Sequence, residues 1–301
     1  MTPDHSSPPR GLPFVVLGIG LIAISFGAIL SRFAQGYGLP SLAIAALRLG
    51  LAALIVTPLA CWRSRPALLA MNQRQVGLAA AAGFFLALHF ATWISSLEYT
   101  SVASSTALVT TNPVWISLAS YFFFREKSSR MTVAGIVVSL FGSLLIFWSD
   151  SHQGGGEQAL LGNLLALAGS WCFSAYLLIG RRLRAEMPLP AYIWLAYGVA
   201  ALFLLLACAG GDVALTGYSV PAYLAALGLA LGPQLLGHTS YNWSLRHVSP
   251  TFVAVVTLGE PVGSAAMAWV FFGESFALVQ GVGFVLLLAG IYLAARGEGR
   301  R

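Results

Sequence analysis

Long apolar runs separated by short polar stretches follow one another along the sequence. Each run approaches the roughly 20 residues that a helix needs to cross a bilayer, and the alternation typical of strands is absent. A spanning segment must satisfy its own backbone hydrogen bonds, which a helix does. The pattern predicts ten transmembrane helices, at residues 13–33, 41–62, 75–97, 101–124, 130–149, 159–180, 191–210, 219–243, 249–272 and 276–295. The eighth is the least regular, because Gly232 and Pro233 interrupt it.

The composition supports a membrane protein. Hydrophobic residues make up 58% of the chain and charged residues 9%, whereas a soluble domain is about 25% charged. The first apolar run could pass for a signal peptide, but nine further spans favour an uncleaved first helix. Residues 1–10 and 297–301 are expected to be cytoplasmic tails, the first of them disordered. No metal site or cofactor is predicted, because the spacing of the cysteines, Cys61, Cys172 and Cys208, is typical of packing residues.

The middle of the sequence repeats near its end. A shift of 148 residues carries Pro113 onto Pro261 and Glu126 onto Glu274, and the Phe pair before each Glu also matches. Two Gly residues of the fifth predicted helix fall onto two Gly residues of the tenth under the same shift. Two copies of one unit inside a membrane indicate a transporter whose pathway runs between them.

The positions of Lys and Arg predict the orientation. With the N-terminus inside the cell, 14 of the 16 basic residues fall in inner loops or tails, and the outer loops carry mostly acids. Both termini are therefore expected in the cytoplasm, and the net charge of +6 reflects topology, not binding to nucleic acid. Because the repeat contains five helices, an odd number, the second copy should be inverted. Glu126 and Glu274 should then lie at opposite membrane faces, where they more plausibly fix helix ends than contact cargo.

Both copies resemble the EamA repeat of the drug/metabolite transporter superfamily. The first copy reads SLEYTSVASSTALVTTNPVW followed by FFFREKSS, and the second reads SLRHVSPTFVAVVTLGEPVG followed by FFGESF. The resemblance covers residues 11–296, with five-helix repeats at 11–150 and 158–296. It implies an all-α integral membrane protein, with two inverted repeats around a central cavity lined by helices 1, 3, 4, 6, 8 and 9. It also implies export of amino acids, other metabolites or drugs, and the chain is similar to the YddG-type exporters of aromatic amino acids.

Polar residues within the predicted spans are the candidates for a substrate cavity, since lipid exposure of polar groups is costly. His89, Trp93 and Ser96 follow i, i+4, i+7 spacing and share one helix face, and Gln234, His238 and Tyr241 repeat that spacing. Pro113 and Pro261 are candidate bend points. The full set of candidates is His89, Trp93, Tyr99, Thr110, Asn112, Trp115, Trp171, Ser174, Gln234, His238, Tyr241, Asn242 and Glu260.

Each candidate also has a structural interpretation. Ser and Thr hydroxyls often bond a carbonyl one turn back, and Asn112 or Asn242 could simply bridge helices. Tyr99 suits a gate or an interfacial belt. Glu260 could carry a proton, meet a substrate ammonium or pair with an Arg, whereas Arg48 is interpreted as a packing or snorkelling residue. The small-residue spacing of helices 5 and 10 predicts close helix packing and a homodimer face.

Few charges and several aromatic residues suit a neutral or zwitterionic, partly apolar cargo. A phosphorylated substrate would need a cluster of Arg or Lys within the spans, where only Arg48 occurs. The sequence thus predicts a secondary transporter of a bacterial inner membrane, exporting hydrophobic or aromatic amino acids by alternating access. An efflux carrier for drugs or lipophilic cations is one alternative, and a pore-type channel another. A membrane enzyme is disfavoured, because no HExxH or Walker motif occurs. Proton coupling through Glu260, His89 or His238 is a separate hypothesis.

Overall fold

The computed structural model of the protein describes Pro9 and residues 11–151, 158–273 and 277–298. Most of the predicted N-terminal tail, the end of the C-terminal tail and Glu274 lie outside these residues. Every regular element within the described residues is helical. The ten helices are α1 (Leu12–Gly36), α2 (Ser41–Arg63), α3 (Gln73–Tyr99), α4 (Val102–Val109 and Asn112–Phe124), α5 (Arg130–Ser151), α6 (Ala159–Glu186), α7 (Leu189–Gly210), α8 (Val220–Leu229, Ala230–His238 and Thr239–Ser244), α9 (Pro250–Thr257 and Glu260–Phe272) and α10 (Leu278–Glu298), with a short helix at Arg65–Leu69 after α2.

The predicted all-helical membrane fold is confirmed. The hydrophobic pattern did not predict the breaks within two of the helices. Within the described residues, nine helices are long and apolar enough to cross a membrane. The fourth predicted span is divided into two halves, because α4 breaks just before Asn112 and Pro113. Proline has no amide hydrogen to continue the helical ladder and is favoured at the start of a helix. Helix α9 breaks at the equivalent place, just before Glu260 and Pro261.

The middle of α8 departs from the α-helix in another way. Residues Ala230–His238 form a π-helix that contains Pro233. A π-turn holds more residues than an α-turn, so it rotates the side chains that follow it around the helix axis. Gln234 and His238 are both buried in this segment.

Helices α5 and α10 pack against each other more extensively than any other pair. A Cβ on Gly135 would lie 2.5 Å from the Gly290 carbonyl oxygen, and one on Gly142 would lie 2.6 Å from that of Gly283. Between these contacts, the Ser139 hydroxyl donates to the Leu287 carbonyl at 3.2 Å. Positions 139 and 287 correspond under the 148-residue shift, so this contact marks the pseudo-two-fold axis. The glycine stripe predicted as a homodimer face is therefore used inside the chain.

The remaining contacts follow the same symmetry. Helix α2 packs against its counterpart α7, while α3 packs along α6 and α1 along α8. The first half of α4 contacts the second half of α9, and the second half of α4 contacts the first half of α9. The breaks in α4 and α9 thus lie where the two repeats cross, in the centre of the bundle.

Contacts between helix ends show which of them lie on the same side of the bundle. Phe14 near the start of α1 packs edge-on against Phe252 near the start of α9. Gly297 near the end of α10 lies against Ser129 and Thr132 at the start of α5. We call this side, which carries the first and last described helix ends, the chain-end side, and the opposite one the far side.

The close packing of α5 against α10 predicts that an added methyl group lowers the stability of the protein only where the two helices touch. Gly283→Ala should destabilise the protein by about 1–3 kcal/mol, because overpacking a close contact forces the helices apart. The matched control is Gly281→Ala on the same helix, where a Cβ would meet nothing within 4 Å. We expect the melting temperature in detergent to fall for the first variant and not for the second. Equal melting temperatures would contradict the contact.

Candidate functional site

A small cavity lies in the centre of the bundle, where the breaks in α4 and α9 meet. It leaves about 20 Å³ for the centres of water-sized molecules, which is roughly room for one or two waters. Seven of the predicted site residues line it. The lining residues come from both repeats: Ile24, Gly27, Arg48, His89, Trp93, Val109, Thr110, Asn112, Phe173, His238, Tyr241, Thr257 and Glu260.

Stacked rings from α3 and α6 form one wall of the cavity. The His89 ring lies parallel to the Trp93 indole, with centroids 6.0 Å apart and an interplanar angle of 3°. On the α6 side it stacks on Phe173, with centroids 4.8 Å apart. The His89 Nδ1 atom lies 3.0 Å from the Gly169 carbonyl oxygen, which fixes the ring orientation. This wall offers an apolar surface of defined shape to a bound molecule.

The broken helices also supply polar groups to the cavity. Asn112 begins the second half of α4, and its Oδ1 accepts a hydrogen bond of 3.0 Å from the Thr257 hydroxyl in the first half of α9. Glu260 begins the second half of α9. The start of a helix favours a negative charge, because the free amide groups there point outward. Each repeat therefore places its own helix start at the cavity, with an amide in one and a carboxyl in the other.

Arg48 lines the cavity as well as packing between helices, so its interpretation as a snorkelling residue is wrong. Its side chain is only 1% exposed. Its Nε donates to the Gln234 Oε1 at 2.8 Å, and the guanidinium lies over the Phe90 ring at 4.0 Å. The π-segment of α8 brings Gln234 to this place, so Gln234 lies behind Arg48 and does not line the cavity. The sequence pattern did not place Arg48 at the cavity, because α2 has no polar stripe that would mark its inner face.

Trp115, Trp171 and Ser174 line a separate groove. It lies between α3, the second half of α4 and α6. It leaves about 470 Å³ for the centres of water-sized molecules, far more than the cavity does. The groove is mainly apolar and open at the side of the molecule, since half of the Trp171 side chain is exposed. It is lined by Leu78, Trp115, Ala119, Phe123, Trp171, Ser174, Ala175, Leu178, Ile179 and Arg182.

Contacts between α4 and α6 separate this groove from the cavity. The Thr111 and Ser170 hydroxyl oxygens are 3.1 Å apart, and the Ser174 hydroxyl donates to the Asn112 carbonyl at 3.4 Å. Beside them, Trp115 and Trp171 pack edge to face with centroids 5.4 Å apart. These contacts between α4 and α6 join residues that line the cavity to residues that line the groove.

The equivalent contact on the far side, between α1 and the second half of α9, is more tightly packed. The Ser264 hydroxyl donates to the Ser25 carbonyl at 3.1 Å, and a Cβ on Gly263 would collide with the Ser25 side chain. Phe271 packs edge-on against both Phe26 and Phe33. Gly263 corresponds to Trp115 under the 148-residue shift, so the two repeats carry very different residues where they form these two contacts.

Two further predicted residues, Asn242 and Tyr99, line neither the cavity nor the groove. The Asn242 side chain hydrogen-bonds the Tyr176 and Tyr197 hydroxyls, so it joins α8 to α6 and α7. Its neighbour Tyr241 lines the cavity, so Asn242 lies on the adjacent side of α8, toward α6 and α7. Tyr99 lies at the end of α3, where its Cβ contacts Gly162 of α6. Glu126 ties the end of α4 to Arg181 of α6 through a half-exposed salt bridge of 2.6 Å.

Comparison with known proteins agrees with this architecture. The chain is 26% identical over 300 residues to a probable amino-acid metabolite efflux pump of Salmonella typhimurium, covering 95% of the chain and 91% of that protein. It is 27% identical over 201 residues to an uncharacterized transporter of Clostridium kluyveri, of which it spans 64%. A solved crystal structure superposes with a TM-score of 0.78 at 17% identity, covering 97% of this chain and all of that one.

The family model that matches does so twice. Residues 12–148 and residues 160–296 each match the EamA-like transporter family, so each repeat carries the family pattern separately. With the helical bundle and the central cavity, this makes the protein a multi-pass membrane transporter. The chain belongs to the EamA-like transporter family.

Proposed function

We propose that the protein is a secondary carrier that exports small amphipathic metabolites, with hydrophobic and aromatic amino acids as the favoured cargo. The observation that carries this proposal is the central cavity, which combines an Arg, a Glu and an aromatic wall between two inverted repeats. A zwitterion with an apolar side chain matches these groups. The name of the Salmonella relative is consistent with the same cargo class.

The alternatives fit the cavity less well. A lipophilic cation would meet the buried guanidinium of Arg48 beside the carboxyl of Glu260. A channel needs a continuous path, whereas side-chain contacts close this cavity toward both membrane sides. Two closures around one central site suit a carrier that exposes the site to one side at a time.

The two contacts between repeats suggest how access alternates. We assign the gate of the chain-end side to Trp115 and Trp171, and the gate of the far side to Ser25, Gly263 and Phe271. Pro113 and Pro261 stand directly after the breaks of α4 and α9, where the missing amide hydrogens make bending less costly. Rotation of the short half-helices about these positions would open one gate while the other stays closed.

The distribution of basic residues supports a cytoplasmic chain-end side. The end of α2, the short helix after it and the start of α3 carry Arg63, Arg65 and Arg74, and the ends of α4 and α6 carry Arg125 and Arg181. Loops rich in Lys and Arg remain in the cytoplasm during membrane insertion. In a bacterial inner membrane, the groove beside Trp115 would then lie in the cytoplasmic half of the bundle, the side from which an exporter takes its cargo.

Counterflow in proteoliposomes tests the proposed function. Vesicles loaded with unlabelled phenylalanine should accumulate labelled phenylalanine transiently and with saturation, and leucine and tryptophan should compete. Trp93→Ala should abolish this exchange because it removes part of the cavity wall, whereas Trp62→Ala should not, because Trp62 is 78% exposed at the end of α2. Linear, unsaturated flux would indicate a pore. Exchange of a lipophilic cation with no amino-acid counterflow would overturn the cargo assignment.

Access from the far side gives a second prediction. Gly263→Ala should force α9 away from Ser25 and shift the gate equilibrium by about 5- to 150-fold, the equivalent of 1–3 kcal/mol of overpacking. A cysteine placed at the buried Ile24, in a chain whose native cysteines are replaced, should then react faster with a membrane-impermeant maleimide applied outside cells. Gly18→Ala on α1 is the matched control, since a Cβ there meets nothing within 4 Å. Equal labelling rates in the two variants would argue against this gate.

A further inference from the structure

Two side chains of opposite charge face the same cavity without pairing with each other. Arg48 comes from α2 and Glu260 from α9, and each side chain is at least nine-tenths buried. The two groups interact electrostatically, yet the nitrogen and oxygen atoms are too far apart for a salt bridge. Taking a charge out of water is costly unless it is paired. Such an arrangement is typical of a site where a ligand completes the pairing.

The two charged groups differ in how firmly they are held. Arg48 is held in place by the hydrogen bond to Gln234 and by the Phe90 ring. Its Nη1 atom has no hydrogen-bond partner. Among the described residues, no hydrogen bond or salt bridge reaches the Glu260 carboxyl. A fixed guanidinium with a free donor suits a carboxylate, which it binds through directed, charge-assisted hydrogen bonds.

Other unpartnered polar atoms surround the same space. They are the Trp93 Nε1, the Asn112 Nδ2, the His238 Nδ1 and the Tyr241 hydroxyl, all buried and all on cavity-lining residues. Buried polar groups are nearly always hydrogen-bonded, so a cluster of unsatisfied ones around one cavity indicates a polar ligand. The aromatic wall of His89 and Phe173 adds an apolar surface beside them.

We propose that Arg48 binds the carboxylate of an α-amino acid and Glu260 binds its ammonium group, so that the pair orients the zwitterion and directs its side chain toward Trp93 and Phe173. This assignment rests on the proposed function and deepens it. It requires both charges of the ligand, because an amine alone leaves Arg48 unpaired and a carboxylate alone leaves Glu260 unpaired. The cavity is smaller than an amino acid in the described conformation, so binding requires the gate between Trp115 and Trp171 to part.

Binding to purified protein in nanodiscs, with three ligands that share one ring, tests this orientation. Phenylalanine carries both charges, phenethylamine lacks the carboxylate, and 3-phenylpropionate lacks the ammonium. The wild-type protein should bind phenylalanine about 10- to 100-fold more tightly than either analogue, the ratio expected for one lost charge-assisted contact.

The variants should remove this preference selectively. Glu260→Gln should reduce the preference for phenylalanine over 3-phenylpropionate to near unity, and Arg48→Gln should do the same for phenylalanine over phenethylamine. Arg48→Lys should retain part of the preference, because it keeps the positive charge. The matched controls are Glu186→Gln at the exposed end of α6 and Arg63→Gln at the exposed end of α2, which should bind all three ligands as the wild type does.

The readout is a ratio within one variant, so a fall in the amount of folded protein does not alter it. Unchanged ratios in Glu260→Gln and Arg48→Gln, in a protein that exchanges phenylalanine in vesicles, would overturn the orientation while leaving the proposed function intact. If neither phenylalanine nor its analogues bind and no amino-acid counterflow occurs, both proposals fail.

Discussion

A charged side chain inside a membrane bundle is stable only where other groups replace the water it has lost. Arg48 meets this requirement in part, through the Gln234 amide and the face of Phe90. Both partners depend on features far away in the chain, since Gln234 comes from the π-segment of α8 and Phe90 from α3. The centre of the bundle is thus organised around a buried cation that the protein compensates incompletely. The cavity beside it is where the remaining compensation can come from.

The symmetry of the two repeats builds the frame for this site. The Ser139–Leu287 contact lies on the pseudo-two-fold axis, and the glycines on either side allow α5 and α10 to approach closely. The breaks in α4 and α9 then bring Asn112 and Glu260 to one place. The cavity lining is asymmetric even though the frame is symmetric, because an amide in one repeat corresponds to a carboxyl in the other. A symmetric frame can exchange two conformations, while the asymmetric lining selects the cargo.

Much of this could be predicted from the sequence, and the failures have physical causes. The ten helical segments followed from hydrophobic run length, and the i, i+4 spacing of His89 and Trp93 correctly placed both on one face. The same spacing placed His238 and Tyr241 at the cavity but failed for Gln234, because a π-turn changes the angle per residue and no local pattern announces it. The snorkelling interpretation of Arg48 failed because its side chain is buried beside Gln234, a residue 186 positions away in the sequence. Trp115 and Trp171 line a groove and not the cavity, because Trp115 follows the break in α4 and Trp171 lies on a half-exposed face of α6.

The central claim is that a zwitterion binds in the cavity between the repeats, held by Arg48 and Glu260. An experimental structure of the protein in nanodiscs with phenylalanine at saturating concentration tests it most directly. The account predicts ligand density in the central cavity, with the carboxylate at the Arg48 Nη1 and the ammonium at the Glu260 carboxyl. Density confined to the groove between Trp115 and Trp171, or a ligand in the cavity with its two charged groups reversed, would contradict it.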